Sequence, residues 1–131
     1  KILPRVNLQN HKLDTITSSA IFKKPTVLYF WSQTQMNHFR STIQKVNKLK
    51  LEFPNYDFIG ISIQPYNEIV AQVHRMMQID QNKQYAFLNF ESASKKWVLR
   101  LLNKAIIVDK NGVIIDGFAN FASSNFSKEL R

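Results

Sequence analysis

The apolar residues of this chain follow two different patterns: continuous runs and a helical repeat. The continuous run at 26–31 is rich in β-branched and aromatic residues, and it predicts a central strand covered by helices on both faces. Residues 57–63 predict a second buried strand. Between them, apolar residues recur every three or four positions, as on the buried face of a long helix: Met36, Phe39, Ile43, Val46, Leu49 and Phe53. With a shorter apolar-faced helix at 69–77, this alternation predicts parallel strands joined by right-handed crossovers.

Two antiparallel hairpins are predicted near the ends of the chain. Residues 5–8 and 12–16 alternate polar and apolar positions around a polar turn, which is typical of a half-covered hairpin. Residues 105–110 and 113–116 flank Asn111-Gly112. Because Asn-Gly tolerates positive φ at both central positions of a turn, we expect a tight primed turn there.

Beyond the second hairpin the pattern loosens. Residues 118–125 predict a loop, and 124–130 predict a final helix.

A length of 131 residues with 44% hydrophobic content suits one domain with a substantial core, so we expect 1–131 to be a single domain. The chain opens with Lys1 rather than Met, and we therefore expect it to be a processed or truncated part of a longer protein.

The chain contains no cysteine, which excludes disulfides, thiolate metal clusters and thiol nucleophiles within it. No apolar run reaches the roughly 20 residues of a membrane-spanning helix.

The formal net charge is +9. This basic excess is either a solubilising surface or a patch for an anionic partner, with Lys45, Lys48, Lys95 and Lys96 as the candidates. Specific nucleic-acid binding is not expected, since no recognition motif is present.

Aromatic residues cluster in the second half of the chain. Tyr85, Phe87, Phe90 and Trp97 bracket a polar stretch. They either line a peptide or ligand groove or cover the sheet, and packing is the commoner use of such residues.

Two motifs and the order of the elements resemble the thioredoxin-like superfamily. Residues 30–38 lie where that family carries Phe-Trp-Ala-x-Trp-Cys-x-x-Cys, and 103–112 resemble its Pro-x-x-x-x-Ile-Asp-Lys-Asp-Gly stretch. The short leading strands and Gly60-Ile61-Ser62-Ile63 resemble the TlpA-like branch, the bacterial envelope thiol–disulfide oxidoreductases. The resemblance covers nearly the whole chain. It implies an α/β thioredoxin-like fold, with a central mixed sheet flanked by helices and an added N-terminal hairpin.

The departures from the family pattern fall at its reactive positions. Gln35 and His38 occupy the two cysteine positions, Thr34 replaces the preceding tryptophan, and Asn103 replaces the cis-proline. A cis bond before a residue other than proline costs about 2.5–4 kcal/mol, so we expect a trans peptide before Asn103. Thiol–disulfide exchange requires an attacking thiolate, and the chain has none. We therefore expect no thiol–disulfide oxidoreductase activity.

Three hypotheses for function remain open at this point. The first is a redox-inactive module that binds a polypeptide or a neighbouring domain through the former active-site face. That face comprises Trp31, Thr34, Gln35, Met36, Asn37, His38 and Asn103. The second is an enzyme with altered non-thiol chemistry, or a metal site, built on His38. The third is a purely structural domain.

No cofactor is expected, and the histidines do not have the spacing of a metal site. His11 falls in a turn and His74 on the second helix, so neither forms a close pair with His38 on one helix face. The family resemblance implies a periplasmic or envelope-anchored location.

Overall fold

The computed structural model describes residues 1–131 and contains one seven-stranded mixed sheet of order β2-β1-β5-β4-β3-β6-β7. The strands are β1 (Asn7–Gln9), β2 (Thr15–Thr17), β3 (Thr26–Trp31), β4 (Asp57–Ser62), β5 (Gln84–Phe87), β6 (Lys104–Val108) and β7 (Ile114–Asn120). The α-helices are α1 (Met36–Glu52), α2 (Glu68–Met76) and α3 (Phe90–Trp97). Short 3-10 helices lie at Ser18–Ile21, Gln81–Lys83 and Phe126–Leu130.

The centre of the sheet joins the two halves of the chain. β3 pairs in parallel with β4 and antiparallel with β6, and every residue of β3 and β4 is buried. Such strands are apolar on both faces because helices cover the sheet on both sides. The predicted α/β fold, with a β-α-β half and a β-β-α half meeting in one mixed sheet, is confirmed. The N-terminal hairpin of β1 and β2 is confirmed as well.

Two separate cores lie on opposite faces of the sheet. Val27, Tyr29 and Trp31 pack with α1 in one core, whereas Leu28 and Phe30 pack in the other core. Successive residues of a strand point to opposite faces, which is why β3 contributes alternately to the two cores. Residues of α2 join the α1 core, and residues of α3 join the other core.

This layering contradicts a single anionic-partner surface built from Lys45, Lys48, Lys95 and Lys96. The first two lysines belong to α1 and the last two to α3, so they lie on opposite sides of the sheet. The Lys45 amine is also engaged within the fold, where it donates to the carbonyl oxygens of Phe121 and, at 2.8 Å, of Ser123. The four lysines therefore cannot form one patch.

The sequence analysis did not identify β5 or α3. β5 lies between β4 and β1, and the Phe87 and Trp97 side chains from β5 and α3 are buried with their ring centroids 5.6 Å apart. The packing interpretation of these two aromatics is therefore confirmed. β7 continues to Asn120, through part of the predicted loop, and the last helix is a 3-10 helix that begins only at Phe126.

The turn of the second hairpin differs from the predicted one. Gly112 has a φ of 78°, but Asn111 does not have positive φ. The Asp109 carboxylate accepts hydrogen bonds from the N–H groups of Asn111 at 2.8 Å and Val113 at 3.0 Å. This side chain stabilises a longer turn that begins at Asp109 and needs a left-handed residue only at Gly112. The predicted two-residue primed turn is wrong for that reason.

Candidate functional site

The site is built at the C-terminal end of β3, where the chain turns into α1. Trp31 ends the strand, Gln35 is the N-cap of α1, and His38 lies in the first helical turn. The Gln35 side chain makes no capping hydrogen bond, and the first turn contains no acidic residue. Backbone N–H groups at this helix end therefore lack side-chain acceptors. Gln35 is exposed and His38 is partly buried.

His38 and Asn103 form a hydrogen bond across the site. The His38 Nε2 lies 2.8 Å from the Asn103 Oδ1, although the residues are 65 positions apart in sequence. Because a carboxamide oxygen only accepts, Nε2 carries the proton in this pair. The His38 Nδ1 is shielded from solvent and has no hydrogen-bond partner. The bond fixes the orientation of the imidazole ring.

The peptide bond before Asn103 is trans, as expected, since the chain contains no cis peptide bond. Asn103 itself is exposed and directly precedes β6. The start of β6 thus brings its side chain against the first turn of α1.

A polar network behind this pair joins the loops that follow β3 and β4. Gln64 is at its centre: its side-chain amide donates to the Ser32 Oγ at 2.7 Å, and its Oε1 accepts from the Gln33 N–H at 3.0 Å. The Ser32 hydroxyl also bonds the Thr34 hydroxyl at 2.8 Å. The Asn67 amide donates to the Gln33 Oε1 at 3.1 Å. These bonds fix the backbone that leads into α1.

Under the network the buried side chains of Trp31 and His74 pack together with the half-buried Tyr66. The Tyr66 hydroxyl and the His74 Nδ1 are 3.2 Å apart, and the Trp31 and His74 ring centroids are 5.5 Å apart. Burial, and secondarily the charge of His11, lowers the pKa of His74 to about 4. Burial also raises the pKa of Tyr66 to about 12. At neutral pH both side chains are therefore uncharged, and they contribute packing and one hydrogen bond.

The structure corrects the predicted binding face at one position. Trp31 has no exposed surface, and its ring stacks on Phe39 with centroids 4.0 Å apart. It is a core residue and cannot contact a partner. The other predicted residues lie around the start of α1 and have at least partly exposed side chains: Thr34, Gln35, Met36, Asn37, His38 and Asn103.

Gln33, Gln64 and Asn67 belong to the site although the sequence analysis did not select them. A signal for them was present, because the polar turn after β4 follows the carboxyl end of a parallel strand. Sites in open α/β sheets form at that edge.

Thiol chemistry is not available at this site. No cysteine is present, and no three His, Cys, Asp or Glu side chains are grouped so as to hold a metal ion. The groups that face outward are amides, a hydroxyl, a thioether and one oriented imidazole. They can form hydrogen bonds and apolar contacts with a partner. None of the helices is both long and apolar enough to cross a membrane.

The fold of this chain is thioredoxin-like, and its site lies at the end of β3, with Gln35 and His38 at the start of α1. Among solved structures, the chain is similar to a thiol–disulfide oxidoreductase from Bacteroides fragilis, with a TM-score of 0.72 and 18% identity over 96% of this chain and 93% of that one. It is also similar to the thioredoxin domain of a thiol–disulfide oxidoreductase from Bacteroides vulgatus, with a TM-score of 0.67 and 13% identity over 88% and 84% of the two chains.

A third similar structure is a domain of a possible thiol–disulfide isomerase from Cytophaga hutchinsonii. Its TM-score is 0.79, with 18% identity over 98% of this chain and 87% of that one. No family model and no curated protein sequence matches the chain. At these identities the likeness establishes the thioredoxin-like fold.

Proposed function

We propose that this chain is a redox-inactive thioredoxin-like domain that binds a polypeptide or a neighbouring domain through its former active-site face. The observation that carries the proposal is the polar tip around His38 and Asn103, whose side chains are hydrogen-bonded to each other in the absence of any cysteine. The exposed side chains of Gln35 and Asn37 flank this pair. A rigid surface of this kind binds at a low entropic cost, since little has to be ordered on contact.

The polar network supports the same proposal. Ser32, Gln33 and Gln64 hold the turn before α1 from behind, and none of the three is among the exposed residues of the tip. We also infer an accessory role in the bacterial cell envelope, in the periplasm or anchored to the envelope. The similarity to structures named as thiol–disulfide oxidoreductases supports this inference.

Site-specific photocrosslinking tests the proposal. The residue p-benzoylphenylalanine is placed at Asn37, and at Lys48 as a matched control on the same helix, about 16 Å further along its axis. Both positions are exposed. Irradiation is carried out in envelope extract of the source bacterium. An adduct at Asn37 that excess wild-type protein removes, with none at Lys48, supports the proposal. Equal labelling at both positions, or no adduct at Asn37, overturns it.

A second candidate function is non-thiol chemistry at His38. The observation that favours it is the hydrogen bond that the His38 Nε2 donates to the Asn103 Oδ1, because a catalytic imidazole requires a group that orients it. Hydrolysis of p-nitrophenyl acetate measures this activity. Turnover above that of free imidazole, lost in both His38→Ala and Asn103→Ala, supports the candidate function. Rates equal to that of free imidazole in all three proteins contradict it.

A further inference from the structure

An open groove of about 600 Å³ lies beside the former active-site face, between the end of α3 and β7. Its apolar lining includes Val98, Leu101 and Phe118, and Asn103 also lines it. Phe118 is 76% exposed and Leu101 is 75% exposed. Scattered single apolar residues are normal on a surface, whereas several in one groove indicate a binding surface.

Two local irregularities of the backbone present these side chains to solvent. The pairing of β6 with β7 shifts register between Ala105 and Ile107, and the Asp116 carboxylate accepts the N–H of Phe118 at 2.8 Å. β-bulges of this kind re-aim side chains near functional sites. At the end of α3, Val98 has a φ of 55°, in the left-handed region that a β-branched residue rarely adopts. Glycine would be the usual residue there.

The two charged residues that line the groove are both basic. Arg100 and Lys104 line it, and no acidic residue does. Arg100 is exposed and forms no salt bridge. The Lys104 amine is held by the carbonyl oxygens of Trp97 and Val98, each at 2.8 Å, and lies 4.3 Å from the centroid of the Phe118 ring. A fixed cation thus borders the exposed aromatic ring.

We propose that this groove binds an acidic peptide segment of a partner protein, with an apolar side chain of the segment on Phe118 and its carboxylates at Arg100 and Lys104. Charge complementarity favours this occupant over a second copy of the chain, because two copies with a net charge of +9 each repel one another. The inference rests on the proposed function and names the class of partner for that function, since Asn103 belongs to both the groove and the former active-site face.

A designed peptide probes the groove directly. The probe is a fluorescein-labelled peptide of alternating Glu and Leu, compared with peptides in which Lys replaces Glu or Ser replaces Leu. We expect the Glu–Leu peptide to bind most tightly, with an affinity that falls as salt is added. Amide shifts in a nitrogen-15 NMR spectrum should map to 98–104 and 116–120. Equal affinity for the Lys peptide, or shifts confined to 34–38, overturns the proposal.

Matched variants separate binding from folding. Phe118→Ser should weaken peptide binding at least about tenfold, and Ile115→Ser, which removes an exposed apolar residue of the same strand outside the groove, should leave it unchanged. Val98→Gly should weaken binding without lowering the melting temperature, because glycine suits the left-handed conformation. Gln78→Gly, at φ 53°, is the corresponding control away from the groove. Unaltered binding in both Phe118→Ser and Val98→Gly overturns the proposal.

The inference can fail while the proposed function stands. A partner adduct at Asn37 with no peptide binding in the groove rejects the acidic-segment inference alone. Analytical ultracentrifugation of the wild-type chain and of Phe118→Ser tests whether a second copy of the chain occupies the groove. A wild-type dimer that Phe118→Ser dissociates would assign the groove to a second copy and overturn the inference.

Discussion

The carboxamide oxygen of Asn103 and the imidazole Nε2 of His38 are in hydrogen-bond contact, at 2.8 Å. In the family that the sequence resembles, these two positions hold the cis-proline and the second cysteine. In this chain the side chains at these two positions bond each other. The contact ties the start of β6 to the first turn of α1, so the tip keeps a defined geometry without the cysteine pair.

A double-mutant cycle measures this contact. His38→Ala and Asn103→Ala should each lower the free energy of unfolding, and the double variant should lose less than the sum of the two single losses. The expected coupling is about 0.5–1.5 kcal/mol, the usual net contribution of one hydrogen bond. Urea unfolding of the four proteins gives the value. A coupling within error of zero would mean that the contact is not populated in solution.

The expected lack of thiol–disulfide exchange activity can be tested directly. In the insulin reduction assay with dithiothreitol, the wild-type protein should give no rate above buffer, because it has no thiolate. The double variant Gln35→Cys/His38→Cys should recover less than roughly a tenth of the rate of an active thioredoxin, a deficit of about 1.4 kcal/mol or more in the barrier. Thr34 and Asn103 still depart from the family pattern in that variant. A full rate in the double variant would show that these two positions are unimportant.

Gly60 in β4 is required by close contacts rather than by its backbone angles. A Cβ at this position would lie 2.6 Å from the Gln84 Oε1 and 2.7 Å from the ring of Tyr29. Both side chains are buried, and the Gln84 amide donates to the Tyr29 hydroxyl at 2.7 Å. Gly60→Ala should therefore destabilise the fold by about 2–3 kcal/mol through overpacking.

The matched control is Gly117→Ala, where the nearest atom to the added Cβ would be the Ile114 Cγ2, at an ordinary 3.5 Å. It should change the free energy of unfolding by no more than about 0.5 kcal/mol, as for most substitutions away from tight packing. Urea denaturation compares the two variants with the wild type. Equal stability of Gly60→Ala and Gly117→Ala would show that β4 has room for a methyl group.

His74 should make the stability of the fold depend on pH. Its pKa falls from the ordinary 6.5 to about 4 in the folded state, chiefly through burial. Between these values the unfolded chain binds a proton that the folded chain does not, so stability falls as the pH drops from 6.5 towards 4. The contribution is about 2–3 kcal/mol at the acid end.

Urea unfolding from pH 7.5 to pH 4 checks this dependence, with His74→Gln as the variant that cannot titrate. The difference in stability between the two proteins should change with pH only below about 6.5, the ordinary pKa of histidine. An NMR titration of the wild-type imidazole gives the pKa independently. A His74 pKa near its ordinary value would contradict the predicted pH dependence.

The sequence predicts the central elements because each has a strong local pattern. The unbroken apolar run at 26–31 coincides with β3, and the three-and-four spacing from Met36 coincides with the start of α1. β5 and α3 escape such analysis because they are short, at four and eight residues. A short element has too few positions to establish a period, and its conformation depends on the neighbours against which it packs.

The amino-acid sequence by itself determined the buried strands, the long helix and the absence of thiol chemistry, since hydrophobic periodicity and residue identity are local properties. The tertiary structure decided the hydrogen bond between His38 and Asn103, the role of Gln64 between two loops, and the burial of Trp31. It also separated Lys45 from Lys95 by placing α1 and α3 on opposite faces of the sheet. These features join residues far apart in the chain, and their geometry is fixed only when the sheet brings the distant segments together.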